Sequence, residues 1–286
     1  MLAPELTRSI QTATVGVLGV GVVGNAVRSY FHGRGRDVRC YDKFNGEGSL
    51  DEINEATIIF VCVPTPYTDG RGLDSSAVED AVAKVRGEKV IVLKSTSIPG
   101  TTELLQQRYP QHRFFFNPEF LRENRAVQDF LEPDRQLMGY CNEADRELAG
   151  ELLTLLPRAP YEAAVSATSA ELIKLCTNAM LALKVVFANQ VYDLSDALGV
   201  DYEDVRKGIA ADPRIGPSHL NVFDSGYRGY GGRCLPKDVG GLVDFARSIG
   251  VPMQLIETVQ QINGRLTGTV RKLRRRLEGP LAASVR

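Results

Sequence analysis

The chain has 286 residues, of which 43% are apolar and 24% are charged, and its 34 basic and 35 acidic side chains nearly balance. These values exclude a disordered or fibrous chain, and they give no excess of charge that would indicate nucleic acid or a membrane surface as a partner. No signal peptide and no apolar run of membrane-spanning length is recognised. The 5 cysteines form no CxxC pair, which favours a reducing compartment and offers no zinc site. We therefore expect a cytoplasmic protein that holds no metal.

The length predicts two domains. The first half alternates short apolar runs with amphipathic stretches, which is typical of an α/β fold with helices on both faces of a doubly wound parallel sheet. The predicted strands lie at 14–18, 37–41, 57–63, 89–93, 113–116 and 136–140, and the predicted helices at 23–32, 75–85 and 143–156. This first domain is expected to occupy residues 1–160.

The second half lacks strand patterns. One long helix is predicted over 166–198, where apolar residues recur at helical spacing and Gly199 provides a stop. Shorter helices are predicted at 202–210, 237–249 and 254–276, with a loop rich in Gly and Pro at 212–232. Residues 161–286 are therefore expected to form an all-helical domain. The long helix is apolar enough to bury against a partner, which favours a homodimer, although it can instead pack on its own domain.

A glycine motif follows the first predicted strand. Gly19, Gly21 and Gly24 have the G-x-G-x-x-G spacing at the start of a helix. The first glycine permits a tight turn, the second lets the backbone approach a pyrophosphate, and the third packs helix against strand. Asp42 ends the next strand, where its carboxylate suits two ribose hydroxyls and repels a 2′-phosphate. The pattern predicts a Rossmann-like domain that binds NAD through Gly19, Val20, Gly21, Val22, Val23, Gly24 and Asp42.

Three pairs of polar residues are spaced four apart, which on a helix places both members on one face. They are Glu119 with Glu123, Lys174 with Asn178, and Cys234 with Asp238. Pro236 suits the first turn of a helix, so Cys234 is expected near a helix N-terminus, where the partial positive charge favours a thiolate. A thiol nucleophile, oxyanion donors and carboxylates suit a covalent oxidation of an aldehyde. The alternatives are an exposed helix face for the two glutamates, a surface pair of Lys174 with Glu171, and a buried apolar role for Cys234.

Seven blocks of the chain resemble the signature sequences of the UDP-glucose/GDP-mannose dehydrogenase family, and their wording is closest to its UDP-glucose branch. In chain order they are GVLGVGVVGNAV, FVCVPTP, KSTSIPGTT, NPEFLRENRAVQDFLEPDR, ELIKLCTNAMLALKVVFANQV, DPRIGPS and GYGGRCLPKDV. Together they span most of the chain, and the NPEFLRE and GGRCLPKD blocks are the most specific. Two departures stand out: Asn124 replaces a glycine, and the loop at 218–230 is longer than usual.

The resemblance implies a four-electron oxidation, in which the C6 alcohol of UDP-glucose becomes the carboxylate of UDP-glucuronate and two NAD are reduced. It implies that Cys234 holds the aldehyde as a thiohemiacetal and then as a thioester. It also implies that Lys174 and Asn178 stabilise oxyanions, that Glu119 assists thioester hydrolysis, and that Asp238 and Thr96 hold a water. Further contacts are implied with NAD for Lys43, Thr65, Thr96, Glu123 and Lys237, and with the substrate for Glu119, Phe120, Leu121, Arg122, Lys174, Asn178 and Gly231.

Family members continue into a C-terminal domain that binds the UDP. The present sequence shows no further strand–helix alternation, so we expect that domain to be absent or to come from a separate chain. Two other functions stay open: a non-catalytic NAD-binding subunit or truncated remnant, and a two-electron β-hydroxyacid dehydrogenase, a class that also has lysine and asparagine four apart. Among substrates, UDP-N-acetylhexosamines and GDP-mannose stay open as well.

Overall fold

The computed structural model describes residues 10–223 and 226–277, with side chains described up to residue 266. The chain divides into two compact units. Unit 1 holds the described residues up to 68 together with 73–174, and unit 2 holds 69–72 and the described residues from 175 onward. The main chain thus passes from unit 1 to unit 2 after Lys174, whereas the domain boundary at residue 160 stays a prediction of the sequence.

In the described chain, all strands lie before residue 167. They are β1 (Val15–Leu18), β2 (Val38–Asp42), β3 (Glu47–Gly48), β4 (Ile58–Val61), β5 (Tyr67–Thr68), β6 (Gly72–Leu73), β7 (Val90–Leu93), β8 (Arg113–Phe116), β9 (Arg135–Tyr140) and β10 (Tyr161–Ser166). The helices of unit 1 are α1 (Val22–Gly33), α2 (Leu50–Glu55), α3 (Ser76–Ala83), α4 (Thr101–Arg108), α5 (Ala126–Leu131) and α6 (Arg146–Leu155). The six predicted strands and three predicted helices of this region are confirmed, each within a few residues.

In the described part of the chain the main sheet has 8 strands, in the order β10-β9-β8-β7-β4-β1-β2-β3. β1 pairs in parallel with β2 and β4, and the parallel pairing continues through β7 to β8. The predicted doubly wound α/β fold is confirmed. The sheet is mixed rather than wholly parallel, because β9 runs antiparallel to β8 and β3 runs antiparallel to β2. A short turn joins β2 to β3, and such a connection permits only antiparallel pairing.

Helices cover both faces of the sheet because side chains of each strand alternate between two apolar clusters. One cluster joins Phe115 of β8 to α1, α5 and α6 through residues such as Phe31 and Leu152. The other joins Phe114 and Phe116 to α2, α3 and α4 through Leu105 and neighbouring side chains. Strands buried on both faces read as continuous apolar runs, which is why the sequence locates them well.

β10 is a correction to the prediction that residues from 161 onward are all helical. It pairs in parallel with β9 over 6 residues, from Tyr161 to Ser166, at the edge of the sheet. Its side chains are half-buried or exposed, so the segment lacks the apolar run that reveals the inner strands.

From residue 167 onward, the regular elements of the described chain are all helices, and the described residues between 211 and 234 form turns and loops. α7 (Ala167–Leu198) is 32 residues long and passes from unit 1 into unit 2. It is followed by α8 (Tyr202–Ala210), α9 (Leu235–Ser248) and α10 (Gln254–Leu277). The predicted long helix and the three shorter ones are therefore confirmed. Within the described ranges, no helix combines the length and the apolar character that a membrane span requires.

Candidate functional site

The glycine motif forms the turn between β1 and α1. Gly19 has φ of 88°, and a side chain there would overlap the carbonyl of Cys62. A side chain at Gly24 would overlap the carbonyl of Gly19, so the helix packs directly on the turn. Around Gly21, by contrast, nothing lies within 4 Å of the position that a Cβ would take. This opening at the N-terminus of α1 is where a pyrophosphate is received in such motifs.

Asp42 stands at the end of β2 and braces the same turn. Its Oδ2 accepts a hydrogen bond of 2.7 Å from the backbone N–H of Val20, and its Oδ1 accepts bonds of 2.9 Å from Phe44 and Asn45. Burial acts to raise the pKa of the Asp42 carboxyl, but the three backbone donors outweigh it and hold the pKa below its usual range. An ionised carboxylate at this position suits ribose hydroxyls and disfavours a 2′-phosphate.

A cleft of about 650 Å³ opens beside the N-terminus of α1. The residues lining it are Val22, Asn25, Glu123, Asn124, Arg125, Ala126, Val127 and Gln128. Val22 and Glu123 were both predicted to contact the cofactor. The open space at Gly21, the ionised Asp42 and this cleft together fit a dinucleotide.

The remaining predicted cofactor residues differ in their surroundings. Thr65 and Thr96 are buried in the segments that follow β4 and β7, at the carboxyl edge of the parallel strands. Lys43 is exposed directly after β2. Lys237 belongs to unit 2, where its amine forms an ion pair of 2.6 Å with Asp238. In doubly wound sheets, ligands bind at the carboxyl ends of the strands, and the two threonines occupy that edge.

Glu119 and Lys174 form a buried ion pair within unit 1. The Lys174 ammonium lies 2.6 Å from the Oε1 atom of Glu119 and donates a second bond of 2.7 Å to the backbone carbonyl of the same residue. Their side chains are 11% and 4% exposed, respectively. Burial acts to raise the pKa of the Glu119 carboxyl, but the Lys174 charge and hydrogen bond, with help from the backbone N–H of Leu121, lower it overall. The pair is therefore a fixed ammonium beside a fixed carboxylate.

The loop that carries Glu119 is held in a defined shape. Glu119 accepts a hydrogen bond of 2.8 Å from the N–H of Leu121 through its own side chain. Arg135 places its guanidinium 3.8 Å from the centre of the Phe120 ring. Arg122 binds Asp129 with two side-chain bonds of 2.6 and 2.9 Å. The four predicted substrate residues from Glu119 to Arg122 are thus positioned by side chains on both sides of the loop.

A buried lysine that interacts with this pair was not predicted as a site residue from the sequence. Lys94 follows β7 and is 4% exposed. Its ammonium donates a bond of 2.5 Å to the Oδ1 of Asn117, and burial lowers its pKa to about 8. Lys94 and Glu119 also interact electrostatically, so Lys94 is a second positive charge that favours the ionised Glu119 carboxyl. Its sequence block, KSTSIPGTT, was noticed, but nothing in the block distinguishes a buried amine from an exposed one.

Unit 2 brings together Asn178, Lys237 and Asp238. The Asn178 amide donates a bond of 2.6 Å to one carboxylate oxygen of Asp238, and the Lys237 ammonium binds the other at 2.6 Å. Asp238 is 1% exposed. Cys234 is exposed at the start of α9, and its carbonyl accepts a bond of 2.9 Å from the N–H of Asp238. One turn of helix thus separates the cysteine from a buried, fully engaged carboxylate.

The predicted pairing of residues four apart is only partly right. The idea of one helical face is wrong for Glu119 and Glu123, because residues 117–122 are not helical and Glu123 begins a single 3-10 turn. Glu119 lies in the loop that follows β8, and its carboxylate turns inward to Lys174. Lys174 and Asn178 do share α7, and Cys234 and Asp238 do lie one turn apart.

The three alternatives of the sequence analysis fail on burial. Glu119 is buried in the loop after β8, and Glu123 is exposed but begins a 3-10 turn, so the two glutamates do not share an exposed helix face. Lys174 and Glu171 are both buried and have different partners, since Glu171 accepts bonds from the backbone of Gly100 and from Thr102. Cys234 is exposed rather than a buried apolar residue. In the described ranges, no group of three or more potential ligands is placed to hold a metal ion.

Comparison with known proteins identifies both parts of the chain. Residues 43–156 match the NAD-binding domain of the UDP-glucose/GDP-mannose dehydrogenase family, and residues 168–265 match the central domain of the same family. The UDP-glucose 6-dehydrogenase of Rickettsia felis is 33% identical over 241 residues, which are 81% of this chain and 53% of that protein. The enzyme TuaD of Bacillus subtilis, of the same name, is 37% identical over 226 residues, 74% of this chain and 47% of that protein. The chain spans about half the length of these relatives.

Solved structures show the same relationship. A UDP-glucose dehydrogenase from the archaeon Pyrobaculum islandicum superimposes with a TM-score of 0.78 at 29% identity, over 88% of this chain and 68% of that structure. The glycine turn, Asp42 and the cleft lie in the same unit as the residues that match the NAD-binding domain of this family. The chain therefore belongs to the UDP-glucose/GDP-mannose dehydrogenase family, and NAD is its cofactor.

Proposed function

We propose that the chain is an NAD-dependent nucleotide-sugar dehydrogenase that oxidises UDP-glucose to UDP-glucuronate in two steps on Cys234. The observation that supports this most is an exposed cysteine at the start of a helix whose first turn also carries the buried, doubly bound Asp238. Helix N–H groups favour the thiolate, which is the form that attacks an aldehyde. A two-electron dehydrogenase has no need of such a thiol.

The proposed sequence of steps balances around Cys234. Bound NAD supplies the electron sink by accepting a hydride from the sugar carbon in each of two oxidations. After the first oxidation the thiolate adds to the C6 aldehyde and forms a C–S bond, and the aldehyde oxygen takes up a proton, which gives a thiohemiacetal. Loss of the second hydride from C6 together with the hydroxyl proton turns this adduct into a thioester. Water then breaks the C–S bond, releasing the carboxylate and a proton and regenerating the thiol.

The other predicted residues are proposed to act on charge and protons. Lys174 and Asn178 supply N–H groups to the oxyanion that develops on the sugar oxygen. Thr96 and Asp238 hold the water that takes the alcohol proton, and Glu119 assists the attack of water on the thioester. Asp238 is supported in this role because two donors keep its carboxylate oriented. Glu119 is supported because its lowered pKa keeps it ionised at neutral pH.

The cofactor and substrate contacts are proposed from the resemblance to the family. Gly19, Val20, Gly21, Val22, Val23 and Gly24 hold the pyrophosphate, Asp42 and Lys43 the ribose, and Thr65, Thr96, Glu123 and Lys237 the rest of NAD. The nucleotide sugar is proposed to bind the loop Glu119, Phe120, Leu121 and Arg122 together with Lys174, Asn178 and Gly231. Many of the residues that bind UDP in longer relatives lie outside the matched region, so a separate chain is one proposed source of these contacts. UDP-N-acetylhexosamines and GDP-mannose are the alternative substrates. The cytoplasmic location also stays a prediction.

A homodimer through α7 is part of the proposal. Cys176, Met180, Phe187, Leu194 and Leu198 are exposed, the last four by 59%, 49%, 59% and 68%. At about 100° per residue these five positions fall within about 40° of one another, so they form one apolar stripe. The stripe extends over about 33 Å of helix. A second copy offers the same stripe and covers it about a twofold axis, which is the commonest arrangement of soluble oligomers.

The test is the amount of NADH formed per UDP-glucose consumed by the purified chain. We expect two NADH per sugar, lost in Cys234→Ser and retained in Cys176→Ser, since Cys176 is also exposed but lies on the apolar stripe. One NADH per sugar that survives Cys234→Ser would indicate a two-electron dehydrogenase. No NADH, with binding of NAD intact, would contradict an autonomous enzyme and support a subunit or remnant. GDP-mannose and a UDP-N-acetylhexosamine serve as comparison substrates.

A further inference from the structure

The segment at 226–232 leads directly into Cys234 and has no regular secondary structure. Three of its residues are glycines in the left-handed region, with φ of 74° at Gly226, 79° at Gly229 and 75° at Gly232. Glycine gives the unfolded chain more freedom than any other residue, so holding this shape requires contacts from outside the segment. Such contacts come from α7, which binds the Arg228 side chain of the segment, and from Asn263 of α10.

The first contact is the side chain of Arg228, which reaches α7. Its Nε and one Nη donate bonds of 3.0 Å each to the Oδ1 and the backbone carbonyl of Asn189. Its other Nη forms an ion pair of 2.8 Å with Asp193, and the guanidinium lies 5.3 Å from the centre of the Tyr192 ring. The side chain is 14% exposed. A planar guanidinium with three anchored nitrogens fixes both the position and the direction of the segment.

Asn189, which accepts two of the Arg228 hydrogen bonds, is itself held in one orientation. Asn189 is fully buried, and its amide nitrogen donates a bond of 2.9 Å to the carbonyl of Val185. That bond leaves its Oδ1 facing the guanidinium, so the amide cannot turn over without losing both interactions. Asn189 therefore acts as a rigid acceptor rather than as an adaptable surface amide.

The second contact is Asn263 of α10, which pairs with the backbone of Tyr230. Its Oδ1 accepts a bond of 2.7 Å from the Tyr230 N–H, and its Nδ2 donates a bond of 2.9 Å to the Tyr230 carbonyl. Both residues are buried. A side chain at Gly229 would overlap the Asn263 amide, so the glycine permits this close approach. Loss of the amide would leave two buried backbone groups without these partners, which is unfavourable.

We propose that Arg228 and Asn263 are positioning residues that clamp the segment 226–232 and so hold the Cys234 thiol at the N-terminal end of α9. Held from α7 on one side and from α10 on the other, the segment does not have to be ordered at each turnover. For catalysis this inference rests on the proposed function. For the reactivity of the thiol it does not.

The test measures alkylation of Cys234 by iodoacetamide at pH 7, by mass spectrometry of each cysteine. The rate for each variant is divided by the rate for Cys234 in the unaltered chain under the same conditions, because Cys176 lies on the apolar stripe that the proposed dimer covers. In Arg228→Met and Asn263→Leu we expect this rate ratio for Cys234 to fall about threefold or more, because a displaced thiol loses the helix N–H groups that favour the thiolate. Arg228→Lys keeps the charge without the planar geometry, so its alkylation ratio should lie between that of Arg228→Met and that of the unaltered chain. Arg206→Met, which breaks an ion pair with Glu203 elsewhere in unit 2, should leave the ratio unchanged.

The second measurement is the turnover of UDP-glucose. In the same variants we expect kcat with UDP-glucose to fall while the KM for NAD holds, since the clamp acts on the thiol. An unchanged or higher alkylation ratio in Arg228→Met overturns the proposal, and this variant decides even if Asn263→Leu does not fold. If the unaltered chain shows no turnover but the alkylation ratio responds as expected, the proposed function fails and the positioning role stands.

Discussion

Replacing Lys174 by methionine should lower the free energy of unfolding by about 3–5 kcal/mol at pH 7, the usual range for breaking a buried ion pair by removing one partner. The two side chains are 4% and 11% exposed and their charged atoms lie 2.6 Å apart. At that distance and an effective dielectric constant of about 20, the Coulomb attraction is roughly 6 kcal/mol. The variant loses this attraction and leaves the Glu119 carboxylate buried without its nearest cation.

A double-mutant cycle separates this pair from general damage to the core. Glu119→Gln in the Lys174→Met background removes the uncompensated charge, so the double variant should regain a large part of the loss, with a coupling energy of about 2 kcal/mol or more. Lys84→Met is the matched control, because Lys84 and Asp80 also lie 2.6 Å apart but are 36% and 55% exposed. That exposed pair should contribute less than about 1 kcal/mol.

The pH dependence of the same variant has a definite sign. In the unaltered chain the pKa of Glu119 lies below its usual value, so its contribution to stability is present above the usual pKa and is lost as the pH falls through the lowered one. Without Lys174, burial raises the pKa of Glu119, and acid neutralises the buried charge. The stability difference between the two proteins should therefore narrow from pH 7 to pH 5, measured by urea denaturation. An additive cycle, or a difference that does not change with pH, would refute the buried pair as the cause.

Three further predictions concern the cofactor turn, a buried carboxyl and the apolar stripe. Gly21→Ala should weaken NAD binding in calorimetry with little change in stability, because its Cβ enters the open space, whereas Gly24→Ala should destabilise the fold, because its Cβ overlaps the Gly19 carbonyl. Burial raises the pKa of Glu171 to about 7, so the folded state holds its proton up to higher pH than the unfolded state. Stability from this group then falls by roughly 3 kcal/mol between pH 4.5 and 7, and Glu171→Gln should remove that slope in thermal or urea unfolding; an equal slope in both proteins would contradict it. Phe187→Glu should convert a dimer to monomer in sedimentation, whereas Leu255→Glu, at an apolar position of unit 2 that is also exposed (62% against 49%), should not.

The elements that the sequence revealed are those whose signal is local. Inner strands such as Ile58–Val61 and Val90–Leu93 are apolar at every position because helices bury both faces. α4 escaped notice because only Thr102 and Leu105 of its TTELLQQR sequence are buried. Its N-terminus is satisfied by Glu171, which accepts N–H bonds from Gly100 and Thr102 across a separation of about 70 residues. A helix that depends on so distant a partner has little apolar periodicity of its own by which it could be predicted.

The same division holds for the candidate site. The glycine spacing predicted the turn, because Gly19 has a positive φ and a Cβ at Gly24 would overlap the Gly19 carbonyl, which lies five residues earlier. The spacing of Lys174 and Asn178 predicted a shared helix, but not that each would bind a carboxylate 55 or 60 residues away in sequence. The hydrogen bonds between Asn263 and Tyr230 could not be predicted from the sequence either. They join a helix to a loop 33 residues away, and periodicity within the helix carries no information about such a distant partner.

The hydrogen bonds of Lys174 and Asn178 on α7 are compatible with the oxyanion role that we propose for both side chains. Lys174 has three ammonium hydrogens, and its bonds to Glu119 use two of them; Asn178 has two amide hydrogens, and its bond to Asp238 uses one. Within the described contacts, each side chain therefore retains one N–H while its other bonds fix where that N–H points. A donor oriented before the substrate arrives needs no reorganisation when charge develops, which is the condition under which such groups lower a barrier most. Weakening Glu119 or Asp238 should consequently impair kcat through Lys174 or Asn178 as well as through the lost carboxylate.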